Sequence, residues 1–530
     1  MSTILPEPTS APADVRDRGE TTLAGDPGVG GRTAVSDALL LTGGTYVAQA
    51  LALVAGLVQR ALLGPVGAGY WALMQTFWTF FSIAPLGAQQ GTTRQIPLHR
   101  GRGDFKTAAA VAGTGASFSL TMISFTGLVV AAVAIVAGRD WDPRMRFGLV
   151  LLGVTAPFRL LSDLHETIIQ SVKRFDVAAL TLIVRAACVL VLQSLAIYLL
   201  GFYGVFAGLV VTEMIVFALW FRLGVISRAR PAFRPRLDRS RLRELIRFGA
   251  PLLVYAQISL LFAAVDSLIV AGALNVKQLG YYALAVSVTH YVLYLPKSIS
   301  GVLFPRMTER FAQTGEIASI HHYASDVQRA LALALVPAAV AAGFFGFPVL
   351  IRHALPDFRP AIGVVEIMIA ASFLAALMTM PIKVLITAGE RWNLTGLMLF
   401  SLAVNAGLNY TAVAILDEGI EGAAVATAAS YLVALMLTSG YGLGKVLPPR
   451  RVLAHLLELI AAFAYTFGAL QLVGSLIPLP ERGLVEDAAV AAVQLLAFFV
   501  AFTPALIYAE RRTRIVSQIG ALVTTRLRKS

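Results

Sequence analysis

The sequence predicts an all-α polytopic membrane protein of about fourteen transmembrane helices. Three observations carry that prediction. Hydrophobic side chains make up 57% of the 530 residues and charged ones only 14%, against roughly 25% charged in soluble domains. The apolar residues fall into fourteen runs, each long enough to cross about 30 Å of hydrocarbon as a helix, which takes about 20 residues. The basic residues crowd into alternate connections between those runs. A membrane β-barrel would show short alternating segments, and these runs do not alternate.

The elements follow in order. Residues 1–34 are rich in Pro, Gly, Thr and Asp and read as a disordered cytoplasmic tail with no signal peptide ahead of the first span. Spans are expected near 36–63, 68–90, 107–137, 147–170, 176–200, 202–224, 245–273, 279–304, 327–351, 361–388, 393–416, 420–444, 452–475 and 486–509. The even-numbered connections carry Arg94, Arg100, Arg102, Lys106, Lys173, Arg174, Arg306, Arg310, Arg391, Lys445, Arg450 and Arg451. The segment 226–243 adds a run of arginines, and so does the tail 511–530. The odd connections hold few bases, diluted by Asp140, Asp142, Asp357, Asp417, Glu418, Glu421 and Glu481. Positive charge stays inside, so both termini are expected in the cytoplasm. The net charge of +13 then reports orientation rather than a nucleic-acid partner.

The first twelve spans repeat. Gly69-Tyr70-Trp71-Ala72-Leu73 opens span 2 and Gly280-Tyr281-Tyr282-Ala283-Leu284 opens span 8. The same offset lays Pro85 on Pro296, a kink expected in both helices. Lys173-Arg174-Phe175-Asp176 matches Glu390-Arg391-Trp392-Asn393, and Gly201 to Gly204 matches Gly419 to Gly422. Six spans is an even number, so the two halves point the same way about an axis along the membrane normal, with a V-shaped cavity between them. The expected organisation is a lobe over 35–225, a basic connector over 226–243, a second lobe over 244–446 and two additional helices over 447–510.

Ionisable side chains at bilayer depth are costly unless paired or wetted, so they mark candidate sites. Span 8 carries Ser287, His290, Tyr294, Lys297, Ser298 and Gly301 on one helical face. That stripe reads as cavity-facing; the competing reading is hydrogen bonding to a neighbouring helix. Span 1 places Thr45, Gln49, Gly56 and Gln59 on a similar stripe, open to tight packing or to ligand contact. Asp266 of span 7 and Arg60 of span 1 both lie near the outer surface and are placed to pair as a gate. Asp163 is level with Arg185 across the span 4–5 hairpin, which reads equally as a salt bridge. Arg159 meets no carboxylate at its level on span 5 and reads as a free cation. Arg159, Lys297 and Lys383, with Arg185 where it is free, would form a cationic chamber suited to phosphate, which Arg forks bidentately and Lys meets as a point charge. Snorkelling is the competing reading for both lysines.

Other chemistries lack their motifs. Gly444-Lys445 has Ser439 where a Walker loop needs Gly and Val446 where it needs Ser or Thr. No HExxH or nucleophile elbow occurs, and the single cysteine, Cys188, lies in an apolar run. The chain reads as a non-enzyme without cofactor or metal.

Several segments resemble the Wzx-type lipid-linked oligosaccharide flippases, within the multidrug/oligosaccharidyl-lipid/polysaccharide exporter superfamily. They are Arg60-Ala61-Leu62-Leu63-Gly64 with Gly69-Tyr70, Arg247-Phe248-Gly249-Ala250-Pro251, Asp266-Ser267-Leu268-Ile269-Val270 with Gly280-Tyr281, and Gly419 to Thr427. The resemblance covers roughly 36–510. It implies two six-helix lobes around a cavity lined by spans 1, 2, 7 and 8, and alternating access. It implies a polyprenyl-diphosphate-linked glycan as substrate, carried from the cytoplasmic to the outer leaflet of a bacterial inner membrane. Membrane lipids, a polysaccharide polymerase and chain-length proteins are the implied partners, with no nucleic acid. The alternatives are a multidrug extruder of the same superfamily, a lipid II flippase, and a membrane scaffold or glycan polymerase. The mostly cationic interior repels cationic drugs, and the short outer loops differ from those of a polymerase.

Overall fold

The computed structural model describes residues 34–171, 174–223, 237–445 and 447–513. Most of the expected tails at 1–34 and 511–530, most of the connector at 226–243, and Lys173 lie outside those residues. Within them the chain is helical, with no strand. Eleven continuous stretches are long and apolar enough to cross a membrane. Gly43–Phe81 carries spans 1 and 2, and Phe175–Arg222 carries spans 5 and 6. Span 8 is the helix Val276–Thr314, which falls outside the eleven because its polar stripe lowers its hydropathy. All fourteen expected spans are therefore present as helices.

Local chemistry sets the turns. Spans 1 and 2 share the helix Ala34–Phe81, broken at Gly64, whose φ of 66° precedes Pro65. A left-handed φ is a conformation only glycine takes cheaply, and proline cannot donate back to the preceding turn. The chain reverses there. Gly44 abuts Ala179 at the start of span 5, while Gly87, beyond span 2, abuts Gly249 near the start of span 7. Those neighbours mark the inner end, the one the loop charges assign to the cytoplasm. Gly201, at φ 59°, turns span 5 into span 6. Asp104 caps span 3 by accepting from Thr107 N at 3.0 Å, and Asn275 caps span 8 by accepting from Gln278 N at 2.9 Å. Both satisfy helix-end donors that would otherwise lack partners.

Pro85 and Pro296 behave differently. The helix stops at Phe81 and resumes at Ala88–Gly101, with Leu86 and Gly87 at positive φ between them. Its repeat mate runs through Pro296 unbroken. The expected common kink is thus a break in one lobe and a continuous helix in the other. The turn residues Leu86 and Gly87 make the difference, since their repeat mates Lys297 and Ser298 stay helical.

The second lobe is the more densely packed. Its core joins Tyr282, Phe358, Phe373 and Met368 with Phe498 and Phe502 of span 14, so the additional helices dock on that lobe. Arg329 of span 9 donates to Glu458 of span 13 at 2.8 Å, and His353 meets Asp487 at 2.8 Å. The first lobe has a smaller core around Met74, Ile123, Ala156 and Phe206. Large apolar side chains such as Phe125, Val136, Tyr198 and Leu199 stay exposed on its rim, as a lipid-facing surface requires.

Candidate functional site

Spans 1 and 8 pack along the seam between the lobes. Arg60 of span 1 reaches across it: Nη2 donates to Ser287 Oγ at 2.5 Å and to the Ala283 carbonyl at 3.4 Å. Tyr291 Oη donates to the Ala52 carbonyl at 3.3 Å. Tyr294 and Tyr46 meet edge to face at 5.5 Å. Span 2 and the helix after it meet span 7 near the inner end, where Gln257 donates to Ser82 Oγ at 2.6 Å and Gln95 to Glu244 at 3.4 Å.

The span 8 stripe therefore divides. Ser287 and Tyr294 are seam contacts. His290 and Lys297 lie on the flank of the same face and are exposed, at a depth where exposure to hydrocarbon would be costly. Lys383 of span 10 is half-buried and sits 4.8 Å from the Phe304 ring of span 8, so it reaches the same helix two turns further in. Gln49 is half-buried on span 1. Gln59 turns away from the seam and donates to Val189 O and Gln193 Oε1 of span 5, both at 3.3 Å.

The two arginines of the expected chamber go elsewhere. Arg159 pairs with Asp163 at 3.4 Å and Glu213 at 3.8 Å. Arg185 pairs with Glu166 at 3.2 Å and Glu213 at 3.4 Å. Ser162 donates to Glu213 and accepts from Arg185 at 2.9 Å. These charges form one network among spans 4, 5 and 6, so Arg159 is not the free cation expected. Its partner Asp163 lies one turn along its own helix, a spacing legible in the sequence; Glu213 is reached only by folding. Arg159 also lines a cavity of about 180 Å³ with Trp71, Trp78, Thr155 and Phe206.

Arg60 and Asp266 do not meet, against the expected pairing. Asp266 is 1% exposed and turns into the second lobe. Its carboxylate accepts from Tyr282 Oη at 2.7 Å, Ser267 N at 2.6 Å and Thr427 Oγ1 at 3.3 Å. Asn409 donates to Thr427 Oγ1 at 3.2 Å and to Asn405 Oδ1 at 2.6 Å. Asn405 in turn donates to the Phe262 carbonyl at 2.9 Å. Span 7 breaks between Phe262 and Val265, and that break frees the carbonyl Asn405 covers. Nothing in the spacing of charged residues announces this cluster. Its signal was the pair of asparagines one turn apart on an apolar span.

The profile of the polysaccharide biosynthesis protein family matches residues 62–352, more than half of the chain. The chain belongs to that family. Among solved structures, it is similar to an inward-facing multidrug resistance MATE family transporter of the MOP superfamily, at 15% identity over 79% of this chain and 98% of that one, TM-score 0.62. It is similar to the lipid II flippase MurJ in an inward closed conformation, at 13% identity over 88% and 100%, TM-score 0.62. A Vibrio cholerae MATE transporter, VcmN, matches at 15% identity over 82% and 99%, TM-score 0.53. Searched by sequence, the curated proteins return no match. Family and fold together make the chain a multi-pass helical membrane protein of the polysaccharide biosynthesis family.

Proposed function

We propose that this chain flips a polyprenyl-diphosphate-linked oligosaccharide from the cytoplasmic to the outer leaflet of a bacterial inner membrane, with both termini in the cytoplasm. The observation that carries the reading is the family match, which begins just after the span 1 side of the seam and takes in the whole of span 8. The chemistry of the seam supports it. A diphosphate crossing hydrocarbon needs compensating charge. Lys297 offers an exposed ammonium two turns from His290 on the flank of the face that meets the other lobe, and the half-buried Lys383 adds another ammonium further in. Gln49 and Tyr294 supply hydrogen-bonding groups along the same seam. Arg159 and Arg185 hold the first lobe together through their carboxylates and leave the substrate to the lysines.

The test uses Lys297→Gln and Lys383→Gln in cells whose export depends on this chain. Each is expected to slow export of the glycan about tenfold, from the roughly 1.5 kcal/mol a hydrogen bond to a charged group contributes, and to accumulate the lipid-linked precursor. Export unchanged in the double variant at normal protein level would overturn the phosphate site. Altered resistance to organic cations with glycan export intact would support the multidrug extruder instead.

A further inference from the structure

The lobes make one contact twice. A β-carbon on Gly69 would overlap the carbonyl oxygen of Val276, and one on Gly280 would overlap that of Pro65. The two pairs are repeat mates: the offset that carries Gly69 onto Gly280 also carries Pro65 onto Val276. Each lobe thus presses the same glycine against the same carbonyl of its partner, an isologous contact across the pseudo-two-fold axis. The neighbouring side chains exchange as well. Ala68, from the first lobe, is buried in the core of the second, and Val276, from the second, packs against the core of the first. The contact lies beside the Gly64 reversal, at the outer end.

The inner end lacks this symmetry. Gly87 and Gly91 press on Gly249 and Leu245, closing the turn and helix after span 2 against span 7. On the corresponding stretch of span 8, Gly301 is exposed with nothing within 4 Å of a β-carbon. His290 and Lys297 are exposed along the same flank. The outer end is sealed on the axis, while the span 8 flank toward the inner end is open.

We propose that Gly69 and Gly280 are the closing contact of the outer gate, and that any side chain at either position holds that gate ajar. A methyl group there collides with backbone only when the lobes are closed at the outer end. It therefore penalises that state alone and shifts the population toward the outward-open one. The proposal rests on the transporter reading but not on the identity of the cargo.

The test is made on the full chain with Cys188→Ala and a reporter, Ala283→Cys, on the seam below the contact. Intact cells are labelled with a membrane-impermeant maleimide. Gly69→Ala and Gly280→Ala are each expected to raise labelling several-fold and by similar factors, since the contact is symmetric. Gly272→Ala, where a β-carbon has open space, should leave labelling at the parent rate. Labelling unchanged by both gate variants overturns the proposal. Should those variants fail to reach the membrane, Val276→Cys replaces Ala283→Cys as the reporter in the otherwise unaltered chain, because its side chain lies at the contact itself. Labelling that rises while the chain is exporting supports the gate, and a rate indifferent to export overturns it. Labelling is indifferent to what is exported, so a wrong cargo assignment would leave this outcome standing.

Discussion

The two lobes solve the problem of buried charge in opposite ways. The first gathers five ionisable groups, pairing the guanidiniums of Arg159 and Arg185 with the carboxyls of Asp163, Glu166 and Glu213. The second surrounds one buried carboxylate, Asp266, with neutral donors: the hydroxyls of Tyr282 and Thr427 and the backbone amide of Ser267. The scaffold is duplicated, but its interior electrostatics are not. A mutually paired network is rigid, because removing one member strands another at low dielectric. A carboxylate held by neutral donors depends on hydrogen-bond geometry rather than on an opposite charge. The first lobe should therefore respond to loss of charge and the second to loss of an acceptor.

The largest effect is expected from Arg185→Leu. Glu213 is 2% exposed and receives both Arg185 and Ser162. Breaking a buried pair by removing one partner costs about 3–5 kcal/mol. Thermal unfolding of the detergent-solubilised chain should show a large fall in midpoint, and Glu213→Gln added to Arg185→Leu should recover part of it. A single variant as stable as the parent would mean that the network is not structural, and the contrast between the lobes would fail.

Asp266 gives the next effect and tests the other side. Asp266→Ala leaves Tyr282 and Thr427 hydroxyls without their acceptor, a loss of about 1–3 kcal/mol. Asp266→Asn keeps one oxygen as acceptor and should unfold between the alanine variant and the parent. Equal damage from both substitutions would show that the charge matters more than the acceptor, which would erase the distinction drawn here.

The spans and the repeat were legible because the bilayer imposes a length and the duplication leaves matching turns. The Gly69 and Gly280 pair stood out in the sequence as a repeat marker, and the fold makes it the reciprocal contact between the lobes. Pairings were harder to read. Arg60 and Asp266 lie near the same surface on spans 1 and 7, yet the break after Phe262 carries Asp266 into its own lobe, while Arg60 turns to span 8. Arg159 has no carboxylate level with it on span 5 and finds its partners on spans 4 and 6, because depth in the membrane is readable from the chain and the neighbour at that depth is not. Lys297 is legible from the helical stripe of span 8 and Lys383 from its depth in span 10, but the approach of Lys383 to span 8 depends on which way the two helices face.

The smallest effect lies outside the membrane and marks where the contrast ends. Glu390, before span 11, joins Lys445, after span 12, with Asn393 donating to Glu390 at 2.5 Å and Tyr441 at 3.1 Å. Lys445 above all, then Asn393 and Tyr441, hold the Glu390 carboxyl below its ordinary value, and Glu390 holds the Lys445 ammonium above its own. The signs differ. The glutamate's contribution is complete above the ordinary carboxylate value of 4.5 and fades as pH falls through the lowered folded one. The lysine's is complete below 10.5 and fades as pH rises through the raised one. Between those limits Glu390→Gln should lower the unfolding midpoint slightly and by a constant amount. The difference from the parent should vanish in acid, once pH has fallen through the lowered folded value, and shrink in high salt. A difference that persists in acid would show that the bonds to Asn393 and Tyr441, rather than the charge of Lys445, hold these two helix ends together.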